Sequence, residues 1–103
     1  MKIVMVRYKV KTDRASENVS YITKVFEQLK SEMPNGLHYA TFKLNDGVSF
    51  IHIASHDEAA ETNPLTTLSA FKAFTAQIKD RCEEAPVTED LNMVGSYHFF
   101  ARE

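Results

Sequence analysis

Between His38 and Ala54 the chain reads as two alternating runs, rich in aromatic and β-branched side chains, joined by Asn45-Asp46-Gly47. That pattern is a strong local signal for a β-hairpin, because Asp-Gly accommodates the positive φ angles that a tight turn demands. The position of the hairpin says more than its existence. An amphipathic helical pattern flanks it on each side, and a strand-like run lies towards each end. The order β-α-β-β-α-β predicts an α+β fold, a ferredoxin-like plait, as one domain over residues 1–103. Its antiparallel four-stranded sheet would carry two helices on one face and leave the other face open.

Residues 2–11 alternate, with Val4, Val6, Tyr8 and Val10 on one side and Ile3, Met5, Arg7 and Lys9 on the other. Asp13 or Ser16 is placed to cap a first helix, whose apolar stripe is Val19, Ile22, Phe26, Leu29 and Met33. Pro34 and Asn35-Gly36 end it. After a polar stretch from Ser55 to Asn63, which includes Glu58 and Glu61, Asn63-Pro64 reads as a helix cap followed by proline at the first helical position. Leu65, Leu68, Phe71, Phe74, Ile78 and Cys82 then trace a second helix, with Ser69 as an internal cap that would set its first turn apart. Glu83–Asn92, interrupted by Pro86, reads as a connector, and Met93–Phe100 as the last strand.

Charge excludes some partners. Twelve basic against 14 acidic residues leave a net charge of −2, with no electrostatic case for nucleic acid or an anionic membrane. The lone cysteine, Cys82, cannot form an internal disulfide and sits on apolar spacing, so it reads as a small buried hydrophobe. Ile3-Val4-Met5-Val6 is broken by Arg7, too early for a signal segment, and no run approaches membrane-spanning length. A cytoplasmic location is expected.

Hairpin register decides which side chains meet. A two-residue turn at Asp46-Gly47 sets Thr41 opposite His52 and Tyr39 opposite Ala54; a three-residue loop instead groups His52 with His38, Ala40 and Phe42. The first arrangement separates polar from apolar side chains more cleanly. With Val4, Val6 and Val10 turned to the helices, the open face is expected to hold Met5, Arg7, Tyr39, Thr41, Phe50 and His52. The last strand adds Tyr97, or alternatively Ser96, His98 and Phe100. Such a face is too apolar for water and too polar for a dry core, which suits a small-molecule cavity and a covering second subunit.

In its layout the chain resembles the dimeric α/β-barrel superfamily, and within it the small antibiotic biosynthesis monooxygenase-like proteins. The residues that carry the resemblance are Gly36-Leu37-His38-Tyr39, Asp46 through Ile53, and Leu68 through Phe74. The resemblance implies a homodimer packed sheet to sheet through the open face, with a pocket between each sheet and its helices. It also implies chemistry on small phenolic or enolic molecules without a cofactor, although some members degrade haem. Three positions depart from the family pattern: His52 stands where a glutamate is common, and Leu65 and Ala70 where histidines are common. Tryptophan, frequent in the pockets of such proteins, is absent.

His52 is the candidate general base, since an imidazole takes a phenolic or enolic proton near neutral pH. Equally, it reads as a half-buried histidine bonded across the sheet. Tyr39, Thr41 and Tyr97 would hold a substrate oxygen, and Arg7 would bind an oxyanion or form an intersubunit ion pair. Phe50, Phe71 and Phe74 would supply apolar walls. Asn18 and Tyr21 would edge the pocket, or simply face solvent. His52 and His56 fall on strand and loop without completing carboxylates or thiols, so no metal site is expected. Two functions remain: a cofactor-independent monooxygenase or isomerase, or a non-catalytic homodimer that binds a small apolar ligand or haem or serves a structural role.

Overall fold

In the computed structural model, which describes residues 1–56 and 63–99, the alternating N-terminus forms β1 (Lys2–Val10). A 3₁₀ turn at Thr12–Arg14 leads into α1 (Ala15–Glu32), which turns Ile22 and Val25 into the core. Neither Asp13 nor Ser16 caps it. The N-cap position falls on Arg14, which makes no side-chain cap bond, and Arg14 instead pairs with Glu17 at 2.7 Å across the first turn. At the other end Met33 enters the left-handed region (φ 45°) and donates its N–H to Leu29 O, with Pro34 barring continuation.

The hairpin joins β2 (His38–Lys43) to β3 (Ser49–His56) in the expected register, Tyr39 opposite Ala54 and Thr41 opposite His52. Its loop is wider than two residues. Gly47 N–H donates to Leu44 O, Leu44 N–H donates to Ser49 O, and the Asp46 carboxylate accepts from the backbone of Val48 and Ser49. Asn63 caps the next segment through its side chain, which accepts from Leu65 N–H at 3.0 Å, and Pro64 follows as the first residue of a 3₁₀ turn (Pro64–Thr67). Extended backbone at Leu68 separates that turn from α2 (Ser69–Ala76), where Ser69 makes no cap bond, and a break at Gln77 precedes α3 (Ile78–Arg81).

The last strand differs from expectation. β4 is Cys82–Leu91, the segment expected to be a connector, so Cys82 opens a strand instead of closing a helix. Proline and repeated carboxylates argue against a central strand, yet both suit an edge strand, whose outer side faces water. Pro86 lies where the pairing slips, between Arg7 opposite Val87 and Lys9 opposite Glu84. Met93–Phe99 forms no strand, and Val94 and Tyr97 stand in solvent. Glu58, Glu61 and Phe100 lie outside the described residues.

All pairings are antiparallel, in the order β2-β3-β1-β4. Val6 lies opposite His52 on one side and Thr88 on the other, Val4 opposite Ala54, and Tyr8 opposite Phe50. Residues paired across neighbouring strands share a face. His52, Phe50, Tyr39 and Thr41 therefore turn towards the helices with Val4, Val6 and Tyr8, whereas the open face holds Met5, Arg7, Phe42, Ile51 and Ile53. The expected grouping of His52 with Arg7 is corrected by this register. The core joins Tyr8, Val10, Ile22, Val25, Phe50, Leu65, Leu68 and Phe74. No described helix is long and apolar enough to cross a membrane.

Gly47 has φ +78°, and a Cβ added there would meet nothing within 4 Å. The cost of Gly47→Ala is then the backbone penalty alone, expected at about 1 kcal/mol in urea unfolding. A neutral result would show that the loop relaxes to another turn.

Candidate functional site

A cavity of about 280 Å³ lies between the sheet and the second helical region. Its walls are apolar: Val4, Val6 and Ala54 from the sheet, Leu65, Phe71, Phe74 and Ile78 from the helical side, and Pro86 from β4. The hydroxyls of Tyr8 and Tyr39 and the imidazole of His52 supply polarity at the sheet wall, and Asn63, Thr75 and Thr88 add neutral polar groups. Among the described residues no Asp, Glu, Lys or Arg lines it. A site of this kind favours an uncharged, largely apolar guest with one or two oxygen atoms.

His52, 5% exposed, stacks on Tyr8 and meets Phe74 at a tilt, with ring centroids 5.3 Å from each. Both of its nitrogens are engaged. Nε2 lies 2.7 Å from the Tyr8 hydroxyl, while Nδ1 lies 2.6 Å from the Tyr39 hydroxyl and 3.0 Å from Thr41 Oγ1. The chain of hydrogen bonds continues away from the cavity. Asn18 Nδ2 donates to the Tyr8 oxygen at 2.9 Å, and Arg81 Nε donates to Asn18 Oδ1 at 3.2 Å. Asn18 is fully buried and Arg81 1% exposed, the guanidinium lying 4.5 Å from the Tyr21 ring centroid and donating to Phe74 O. Five side chains from α1, α3, β1, β2 and β3 thus form one buried polar line.

Burial governs the ionisation of this line. Desolvation lowers the His52 pKa from 6.5 to about 4, so the ring is neutral at physiological pH. Desolvation likewise pushes Tyr39 up to about 12, against a smaller opposing pull from the Thr41 hydrogen bond. Tyr8 is pushed up further by burial, partly offset by the Asn18 hydrogen bond. Each hydroxyl is therefore held protonated, and the site carries neutral donors and acceptors.

Six of the sequence-selected residues come together on this side of the sheet. His52, Tyr39, Phe71 and Phe74 line the cavity, Thr41 reaches His52, and Phe50 stacks beneath Tyr8 with centroids 5.6 Å apart. Arg7 and Tyr97 do not join them: Arg7 is exposed on the opposite face, and Tyr97 is 86% exposed beyond β4. Sequence reasoning passed over Tyr8 and Arg81 and left Asn18 at the pocket edge or in solvent. Asn18 carried a detectable signal, since it lies four residues before Ile22 on the buried helical stripe. Among the described residues no three histidine, cysteine or carboxylate side chains cluster as a metal site would need.

No family model matches the sequence, and no curated protein matches it either. Solved structures do match in shape. An antibiotic biosynthesis monooxygenase superposes with a TM-score of 0.75 at 14% identity, over 92% of this chain and 100% of its own. A Nitrosomonas europaea protein provisionally named an antibiotic biosynthesis monooxygenase gives 0.76 at 14%, with the same coverage. Rv0793 from Mycobacterium tuberculosis gives 0.74 at 12%, over 92% of this chain and 96% of its own. The chain shares the ferredoxin-like fold of these structures.

Neutral burial of His52 makes stability depend on pH. Between about pH 6.5 and pH 4 the unfolded chain binds this proton and the folded protein does not, so stability falls as the pH drops through that window. The full loss corresponds to about 3 kcal/mol. Urea unfolding at about pH 7 and pH 4.5 is expected to show most of this loss in the wild type and a smaller one in His52→Phe. Parallel pH profiles for the two proteins would mean that His52 titrates normally.

Proposed function

We propose that the protein is a cofactor-independent monooxygenase, or a closely related oxygenase or isomerase, acting on a small phenolic or enolic molecule. The carrying observation is the neutral, tyrosine-held imidazole of His52 on the wall of an otherwise apolar cavity. The similarity in shape to proteins named antibiotic biosynthesis monooxygenases supports the same reading. Size is consistent with it: a cavity of roughly 150 Å³ takes benzene, so about 280 Å³ suits one or two rings and is small for a haem.

In this reading His52 is the proton acceptor. Its low pKa reflects burial among the described residues, which leaves an imidazolium poorly solvated. Proton transfer from a bound phenol or enol creates the substrate anion beside the ring, and that opposite charge favours the imidazolium in a low-dielectric site. Tyr39 and Thr41 orient the ring from its Nδ1 side, while Phe71 and Phe74 exclude water. The anion supplies the electrons. At an activated CH₂ group, dioxygen gives one oxygen to carbon and leaves with both hydrogens as water, forming a carbonyl; without oxygen, reprotonation at another carbon gives the isomer.

A second copy of the chain is the proposed partner on the open face. Phe42 and Val87 are 48% and 44% exposed there, Ile51 and Ile53 are half-buried, and Ser55 Oγ is buried without a hydrogen bond among the described residues. Phe99 lines a hollow with Ala40 and Ile53 on the same side and is itself 62% exposed. An apolar surface of this kind, crossed by Arg7 between Ile51 and Val87, supports an interface.

Oxygen-electrode screening of one- and two-ring phenols and enolic diketones is expected to find turnover, reduced by about 100-fold or more in His52→Ala. Unchanged turnover in that variant removes His52 as the base. Tight binding of such molecules with neither oxygen uptake nor isomerisation would instead indicate a non-catalytic ligand-binding protein. For the partner, sedimentation is expected to show a dimer that Ile53→Glu dissociates; a monomeric wild type would overturn that assignment.

A further inference from the structure

Arg81 is a buried cation whose role the reading above leaves open. Among the described residues the close ion pair is Arg14–Glu17, and no described carboxylate contacts Arg81. Burying an unpaired charge is expensive, so its hydrogen bonds and ring contacts carry the compensation. They are Phe74 O, Asn18 Oδ1 and the faces of Tyr21 and Phe74.

A guanidinium can donate but never accept. This fact propagates along the line. Facing Arg81 Nε, Asn18 must present its oxygen, so its amide nitrogen faces Tyr8 and donates to the phenolic oxygen. With that lone pair occupied, the Tyr8 hydrogen has His52 Nε2, 2.7 Å away, as its acceptor among the described residues. A neutral imidazole that accepts at Nε2 carries its hydrogen on Nδ1, which points at Tyr39 and Thr41. The opposite tautomer would leave the Tyr8 hydrogen without a described acceptor in a buried site.

We infer that Arg81, acting through Asn18 and Tyr8, is a positioning residue that fixes His52 as the Nδ1–H tautomer. The tautomer assignment stands on hydrogen-bond directions alone. Its chemical consequence rests on the reading of His52 as a base. The basic nitrogen, Nε2, then lies behind the Tyr8 hydroxyl and receives a proton by relay. The substrate O–H bond breaks as its proton moves to the Tyr8 oxygen, and the Tyr8 O–H bond breaks as that proton moves to Nε2. Substrate anion and imidazolium result, with Tyr8 neutral throughout. Tyr8, which lines the cavity, thereby becomes the group that touches the reacting hydroxyl.

The test reads the tautomer directly, independently of turnover, from imidazole nitrogen resonances of the full-length protein labelled with ¹⁵N-histidine. In the wild type Nδ1 of His52 is expected to be pyrrole-like and Nε2 pyridine-like. Asn18→Asp is nearly isosteric and still accepts from Arg81, but it presents an acceptor to Tyr8. The Tyr8 hydroxyl then donates to the carboxylate and its oxygen accepts from His52, so the two nitrogen signatures exchange. A purely space-filling role for Asn18 predicts no exchange. The inference is overturned by a pyrrole-like Nε2 in the wild type, or by an unchanged or doubly protonated ring in Asn18→Asp. Should that variant fail to fold, Tyr8→Phe serves instead: loss of the hydroxyl is expected to mix the tautomers, and a ring still locked as Nδ1–H overturns the inference. Absence of catalytic activity would bear on the proposed function and leave this result intact.

Discussion

The antiparallel pairing of β1 between β3 and β4 determines almost everything about the candidate site. Setting Val6 opposite His52 and Thr88 puts an imidazole on the face that the helices cover, and it puts Tyr8 one strand across from Phe50. A slip of one residue would send His52 to the outer face and bring Ile51 or Ile53 inward. That alternative would give a drier core, yet the described register tolerates the histidine because Tyr8, Tyr39 and Thr41 satisfy both ring nitrogens. Polar satisfaction therefore stands in for apolar packing at the centre of the sheet, and it does so in a specific geometry.

What the sequence made legible follows the range of the interactions. The hairpin, its register, the first amphipathic helix and the Asn63-Pro64 start depend on neighbours within a few residues and are present, whereas the second helical pattern is divided into a 3₁₀ turn, α2 and α3, with Cys82 passing to β4. The face chosen by His52 depends on β1, more than forty positions away, and local alternation cannot report it. Assigning the last strand failed for a different reason. Met93–Phe99 is richer in apolar side chains than Cys82–Leu91, but it forms no strand, while an acidic, proline-bearing segment takes the edge. Composition favoured the wrong segment because edge strands need not look hydrophobic.

The candidate site shows the same division. Tyr39, Phe71, Phe74 and His52 could be selected because aromatic and imidazole side chains advertise a pocket. Arg81 could not, since an arginine on a helical segment ordinarily faces water, and helical spacing placed Asn18 no further in than the pocket edge. Their burial becomes intelligible once the line to His52 is seen: each satisfies the next, and the cation at its far end rests on two aromatic faces. Such a line costs stability relative to a hydrophobic filling, and it confers an orientation that a hydrophobic filling cannot.

β4 also shapes how copies of this chain can meet. Pro86 offers no N–H to a further strand, and Glu83, Glu84, Glu89 and Asp90 place like charges along the same short stretch. A second sheet approaching that edge would find a missing donor and mutual repulsion. Growth by adding strand to strand, which has no natural end, is thereby discouraged on this side. Association through the open face, the interface proposed above, is different in kind: two faces that cover each other leave nothing to propagate, so such an assembly would be finite by construction.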